Sequence, residues 1–318
     1  MADKKTSLVR TAEAAVLLLA GAFIFHQLAT GWSTVADHLR TVHWPLLLVA
    51  WTVFLIYFLF RAVAWRLIMA ALGSKLPPVA AGRIWFLSEF SRYIPGNIWS
   101  LLGRVHLADK AGAPKRITAV SLVIEALFLV GAAAVFFGPF LSGFPGLASG
   151  PTSDLRWLGL LAVPLILLLL SPGSVIRLAN ALLKRIKKPL ISSTLSRRQL
   201  LPIFLSLLIA WFAYGLASYC VAAAFAPLTM SWWWLTAAFI FAWLIGYISL
   251  ITPMGLGVRE GAVVLFLSPT VGAATAGLIA LASRLWLIVS ELSVLAAIGL
   301  AFAPTTGKSD LKKTPDTK

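Results

Sequence analysis

Acidic side chains are scarce: 11 Asp and Glu stand against 27 Lys and Arg, and charged residues of both signs fill only 12% of the 318 positions. A water-facing fold draws on roughly 25% charged residues, so this sequence cannot cover such a surface with what it has. Cysteine occurs once, at Cys220, which excludes an internal disulfide and a cysteine-built metal cluster. Cys220 lies inside an apolar run, where a small inert side chain is the expected role. Histidine is limited to four positions. His26 and His106 are isolated, while Asp37, His38 and His43 share a polar stretch that reads as a solvated loop between helices. No HExxH, P-loop, Ser–His–Asp set or carboxylate pair spaced for hydrolysis occurs. The expectation is therefore no catalytic residue, no metal site and no cofactor.

What the sequence does hold is apolar: 60% hydrophobic residues and a mean hydropathy of +0.91. These residues come in runs that suit a hydrocarbon layer about 30 Å thick. The fold class expected is an all-α polytopic membrane protein. Full crossings are expected at about 12–30, 44–66, 117–138, 156–171, 202–225 and 273–302. The run after Arg10 imitates a signal peptide but has no convincing cleavage site, so it reads as a retained first helix. Two further segments are apolar but broken. Residues 82–107 contain Pro95-Gly96 and are too polar for a lipid-facing crossing. Residues 232–268 break across Pro253, Gly255 and Gly257. Freed backbone groups at such breaks must be buried in protein or line a wet cavity. The total is six crossings with two re-entrant hairpins, or eight crossings if 232–268 spans fully. Residues 1–303 form one transmembrane domain, and 304–318 read as a disordered polar tail.

The net charge of +16 does not point to nucleic acid, because the basic residues flank apolar runs instead of forming a groove. Three lie in the first ten residues, nine between Arg61 and Arg116, seven between Arg177 and Arg198, and four after Gly307; the alternate loops hold only Arg40 and Arg156. Cytoplasmic loops carry such an excess, which places both termini in the cytoplasm. The basic stretch 172–201 reads as an amphipathic or surface-lying segment. Trp32, Trp44, Trp157 and Trp232–Trp234 fall near span ends, as an interfacial belt predicts.

The broken segments have matching neighbours. A crossing precedes each, and a helix with spaced polar residues follows: Ser121 and Glu125 in one half, Arg284 and Glu291 in the other. With the first hairpin opening to the cytoplasm and the second to the far side, the halves are related by inversion, the arrangement that marks a transporter's midplane site. Glu125, Arg259, Glu260, Arg284 and Glu291 lie where an unpaired charge costs at least a few kcal/mol. Either Arg259 and Arg284 form structural ion pairs with Glu260 and Glu291, or the arginines hold an anionic headgroup while the glutamates hold them or exchange protons. Arg92 and Arg104 bracket Pro95-Gly96-Asn97, where they either grip a phosphate at the cytoplasmic entrance or snorkel to headgroups.

Tyr93-Ile94-Pro95-Gly96-Asn97-Ile98-Trp99 resembles the Y-x-P-G-x-x-W segment of the lysylphosphatidylglycerol synthase transmembrane-region family. Pro253-Met254-Gly255-Leu256-Gly257-Val258-Arg259-Glu260 resembles that family's P-x-G-L-G-x-x-E element, and Arg104, Ser121 and Glu125 follow its order. The resemblance covers about residues 10–303. It implies a lipid flippase half that moves aminoacylated phosphatidylglycerol across the bacterial inner membrane. The 318 residues leave no stretch for the soluble domain that makes the lipid, so the synthase activity does not carry over. The leading expectation is a lipid translocator, not an enzyme, whose partner is a membrane lipid with an anionic or aminoacylated headgroup or a polyprenyl-phosphate link. The alternative is a non-catalytic accessory subunit that anchors a glycosyltransferase or lipid-modifying enzyme. An intramembrane enzyme on a lipid phosphate lacks the His and Asp clusters it would need.

The topology generates a labelling pattern. In a Cys220→Ala background, a single cysteine placed at Ser149 should react with an impermeant maleimide added to intact cells, and one at Lys318 should not. The reverse pattern would overturn the orientation.

Overall fold

The computed structural model describes residues 32–91, 99–138, 140, 162–169, 171–185, 195–249 and 255–301, and these contain eleven α-helices and no strand. The predicted crossing at 12–30, the tail from 304, Arg92, Pro95, Gly96 and Pro253 lie outside the described residues. After a short helix α1 (Trp32–Arg40) comes α2 (Trp44–Ala71), 28 residues that open with a proline in the first turn. The missing N–H of that proline falls where a helix has no internal partner for it. Helices α3 (Pro78–Phe90) and α4 (Trp99–Lys110) form the first hairpin, and α5 (Lys115–Ala133) follows. Helix α6 (Ala162–Leu169) and α7 (Pro172–Arg185) lead to the second half. That half comprises α8 (Arg197–Phe225), the hairpin α9 (Trp232–Ile248) and α10 (Val258–Val271), and α11 (Ala273–Ala301).

Among the described residues, four helices are long and apolar enough to cross a membrane: α2, α5 with its 3₁₀ extension to Phe136, α8 and α11. They match four predicted crossings: α2, α5 and α8 run a few residues past the predicted bounds at one end, and α11 keeps within them. Of 156–171, the described part is α6. The hairpin limbs are shorter. At 1.5 Å per residue α3 and α4 reach roughly 20 Å and α10 about 21 Å, short of a 30 Å layer. Only α9, with 17 residues, approaches the lower limit. Helices α3, α4 and α10 are thus too short to cross alone, whereas α9 stands at the lower limit of a crossing.

The polarity is inside out. Leu48, Leu59, Leu205, Leu265, Leu285 and Leu300 face outward, while Arg61, Glu125, Arg259, Glu260, Arg284 and Glu291 are buried. A surface apolar on this scale suits lipid and not water. Trp44 and Trp233 are exposed at the starts of α2 and α9, as an interfacial belt requires. In α7 the buried Val175, Ala179 and Leu183 recur every four residues and Lys184 and Arg185 end the helix, so the 172–201 stretch begins as an amphipathic helix.

Contacts along the helices give their relative directions. Helix α2 packs most extensively on α8. His43 N–H donates to the Ala224 carbonyl at 3.1 Å, the rings of Phe54 and Tyr57 meet Tyr214, and the Ser206 hydroxyl donates to the Phe60 carbonyl at 2.9 Å. As one number rises the other falls, so α2 and α8 are antiparallel. Arg61 meets Glu125 and Trp65 meets Ser121, so α2 and α5 are antiparallel too. Trp286 reaches Leu47 and Trp51 reaches Ser293, which makes α2 and α11 parallel. Each half is therefore a helix, a hairpin and a returning helix, and the second half runs opposite to the first. This is the inverted arrangement expected from the two breaks.

Small residues close the contacts where the hydrophobic drive between helices is weak in lipid. Gly215 on α8 faces Thr236 on α9 so closely that an added Cβ would collide with the threonine side chain. Thr236 is branched at Cβ and stiff, so it cannot swing away. Gly215→Val is expected to destabilise the protein by about 1–3 kcal/mol, read as a lower thermal midpoint in detergent. Thr236→Ala should recover part of that loss in the double variant.

Candidate functional site

Arg61 lies near the middle of α2, fully surrounded by helix, and a charge at this depth must be compensated. Its Nη2 donates to Glu125 Oε1 at 3.1 Å and its Nη1 to the Tyr57 hydroxyl one turn earlier, also at 3.1 Å. The guanidinium sits 5.3 Å from the Trp85 ring centre and 5.9 Å from that of Trp243 on α9. Whereas Arg61 Nε has no hydrogen-bond partner, Arg104 on α4 is engaged at all three of its nitrogens. Its Nη1 donates to Glu125 Oε2 at 2.6 Å, its Nη2 to Glu89, and its Nε to Ser88 Oγ at 2.9 Å. Trp85 Nε1 adds a third donor to Glu125, on Oε1 at 3.4 Å. The Glu125 carboxylate therefore joins α2, α3, α4 and α5. Charge-assisted hydrogen bonds of this kind are the strong ones. They answer the desolvation that makes a buried ion pair unfavourable when left unsatisfied.

The second half holds a similar set of residues in a looser arrangement. Gly257 precedes α10 with φ +80°, a conformation that costs glycine nothing. Its N–H donates to Glu260 Oε2 at 2.7 Å, so Glu260 caps the helix it stands on. The other Glu260 oxygen lies 3.4 Å from Arg284 Nη1 on α11. Glu291 is buried two turns further along α11. Arg259 is 3% exposed and lies 5.7 Å from the Tyr214 ring. It forms no ion pair among the described residues, and its Nη2 has no hydrogen-bond partner. Gly246 on α9 makes room for it: a Cβ there would stand 3.0 Å from the Arg259 Cβ. Gly255, at φ +63°, would drive a Cβ into the Gly246 backbone, so this close approach requires glycine at Gly255.

Both clusters face one cavity of about 300 Å³. Arg61, Arg104, Arg259 and Arg284 line it together with Glu89 and Glu125. Glu89 and Glu125 answer Arg61 and Arg104, and Glu260 stands behind Arg284, so Arg259 is the lining arginine without a carboxylate partner among the described residues. Ser100 beside the first break and Gly246 and Tyr247 beside the second also line it, so the flanks of the two hairpins converge there. Fixed donors lining a cavity of this size can replace the water around an anion.

Several expectations change. Arg104 does not sit at an entrance with Arg92, which lies outside the described residues. It is 2% exposed and held by Glu89 and Glu125, because two carboxylates within reach outweigh snorkelling. Of the structural pairs anticipated for the second half, Arg284–Glu260 forms, while Arg259 pairs with neither Glu260 nor Glu291: neighbours on a helix point about 100° apart. Arg61 was counted with the cytoplasmic basic residues, yet it is interior; seven of the nine from Arg61 to Arg116 remain once it and Arg104 are removed, still a large excess. Arg61 and Glu89 are the site residues that sequence reasoning missed. A signal was present in Tyr57, Arg61 and Trp65, spaced four apart and hence on one helix face.

Comparison with known proteins agrees with this architecture. Residues 11–306 match the family described as lysylphosphatidylglycerol synthase TM region. No curated protein matches the chain.

The Glu125 clamp makes a stability prediction. Glu125→Ala leaves two buried guanidinium groups facing one another and is expected to cost about 3–5 kcal/mol, measured by denaturant unfolding in mixed micelles. Arg61→Leu should cost less, because Arg104 still neutralises Glu125. Equal losses for the two would argue against the shared carboxylate.

Proposed function

The chain belongs to the lysylphosphatidylglycerol synthase TM region family, and from that premise we propose that it moves a membrane lipid bearing a phosphate headgroup between the leaflets, without changing it chemically. The observation that carries this reading is the cavity lined by four arginines and two glutamates where two inverted hairpins meet. The barrier to lipid translocation is the transfer of a charged headgroup through hydrocarbon, a penalty of many kcal/mol for an unpaired ion. Fixed guanidinium donors supply at mid-depth what water supplies at the surface. An aminoacylated or unmodified phospholipid and a polyprenyl-phosphate-linked lipid all meet that description. Inverted repeats favour alternating access, in which one hairpin withdraws while the other stays seated. The two hairpins suit these roles, since Glu125 fastens the first to its half and the second closes over glycine contacts.

The protein is proposed to reside in a bacterial inner membrane with both termini in the cytoplasm, as the distribution of Lys and Arg supports. The family membership and the apolar helices support the membrane itself.

Reconstituted vesicles test the reading. A fluorescent phospholipid in protein-containing vesicles should become fully accessible to an external quencher, beyond the outer-leaflet half that protein-free vesicles expose. Gly246→Leu, which pushes on Arg259 and on the turn at Gly255, should slow that exchange roughly tenfold, the loss of about one charge-assisted hydrogen bond. Exchange no faster than in protein-free vesicles, for any phosphate-bearing lipid tried, would refute the proposal.

A further inference from the structure

Within the translocator reading, on which this step rests, we infer that Tyr214 is the positioning residue that makes Arg259 the phosphate-binding arginine of the cavity. Arg61, Arg104 and Arg259 all lie over aromatic rings. Arg61 and Arg104 also commit N–H donors to Glu125. Arg259 has the Tyr214 ring at 5.7 Å and no carboxylate partner among the described residues. A carboxylate neutralises a guanidinium by accepting from its in-plane N–H groups, the same groups that a phosphate needs. An aromatic face attracts the cation through its quadrupole and accepts none of those hydrogen bonds. Arg259 is thus compensated at depth yet keeps its planar fork for two phosphate oxygens. It lines the cavity, and its Nη2 has no acceptor. The ring beneath it is firmly set. Tyr214 is fully buried on α8, with Phe54 and Tyr57 of α2 and Trp211 of α8 at ring distances of 6.1, 5.3 and 5.6 Å. The Tyr214 hydroxyl has no hydrogen-bond partner, so the aromatic face is what this position supplies. Without that face, a guanidinium at this depth is left to seek a carboxylate or the membrane surface, and either way it withdraws from the cavity. The ligand is a phosphate group, carried by a lipid headgroup or free.

Binding is read on the purified full chain, as the rise in thermal midpoint against the concentration of short-chain phosphatidylglycerol or of soluble glycerol phosphate. Exchange of fluorescent phosphatidylglycerol is followed separately in phosphatidylcholine vesicles. Tyr214→Leu is expected to weaken phosphatidylglycerol binding about fivefold or more. Tyr214→Phe keeps the face and should restore binding to within about twofold. A packing role alone would lower the midpoint of the lipid-free protein and leave the affinity as it was; that result overturns the role of Tyr214. So does Tyr214→Phe binding as weakly as Tyr214→Leu. If Tyr214→Leu fails to fold, a trifluorinated phenylalanine in place of Tyr214 keeps the shape and weakens the face. Its affinity should fall several-fold below that of Tyr214→Phe, and equal affinities overturn the role. Arg259→Gln should abolish the rise in midpoint, and a rise retained in full overturns the assignment to Arg259. A rise with phosphatidylglycerol alone upholds the site with a lipid phosphate as its occupant. An equal rise with glycerol phosphate at the same concentration upholds it with the free group as occupant. If no lipid is exchanged while binding keeps its dependence on Tyr214, the phosphate site stands and the translocator reading falls. If neither compound binds the wild-type protein, the site falls whatever the vesicles show.

Discussion

Glu125 accepts from side chains on three other helices, and the first half of the molecule is organised around that carboxylate. Arg61 reaches it from α2, Trp85 from α3 and Arg104 from α4. In water such a cluster would contribute little beyond what hydration already supplies. In a membrane interior the alternative to pairing is an uncompensated ion, and the cluster therefore dictates where the elements go. The short limbs α3 and α4 cannot reach across a bilayer, so their polar backbone ends must be housed inside protein. The same charges that need neutralising anchor those limbs in place.

Asymmetry between the halves follows from how the charges are distributed. The first half closes on itself, with Arg104 engaged at all three of its nitrogens. In the second, Glu260 spends one oxygen on the start of α10 and presents the other to Arg284 at 3.4 Å. Arg259, one residue earlier, is turned toward Tyr214 and the cavity instead. Two halves of the same architecture thus do different work. One is a fixed wall with its charge neutralised, and the other brings a cation to the cavity through a turn closed by glycine contacts.

Much of this was legible from the residues alone. Four long crossings follow from apolar runs, because a helix hydrophobic all round has few places to go but lipid or a large core. The two hairpins were visible as Pro/Gly breaks within apolar segments, and Glu125, Arg259, Glu260, Arg284 and Glu291 as charges in surroundings that cannot tolerate them unpaired. Partner choice was not legible. Which of two adjacent residues, Arg259 or Glu260, faces Arg284 depends on helix rotation, and rotation is set by Gly246 and Gly255 touching across the turn. Arg61 was obscured by its neighbours. With Arg66 five residues on, it resembles the basic end of a span, yet α2 continues to Ala71 and carries it inside.

The glycine contacts and the charge clusters are two answers to one constraint. Lipid offers apolar side chains the same contacts that a protein interior does, so burial of leucine cannot hold these helices together. What remains is close packing and polar pairing. Gly215 against Thr236 and Gly246 against Gly255 bring α8, α9 and α10 near enough for dispersion to act over backbone atoms. Ion pairs and indole hydrogen bonds do the equivalent between α2, α3, α4 and α5. Close packing has no charge to neutralise and leaves Arg259 uncommitted, whereas polar pairing consumes the carboxylates of the first half. The uncommitted Arg259 at the cavity is thus a consequence of how each half is held together.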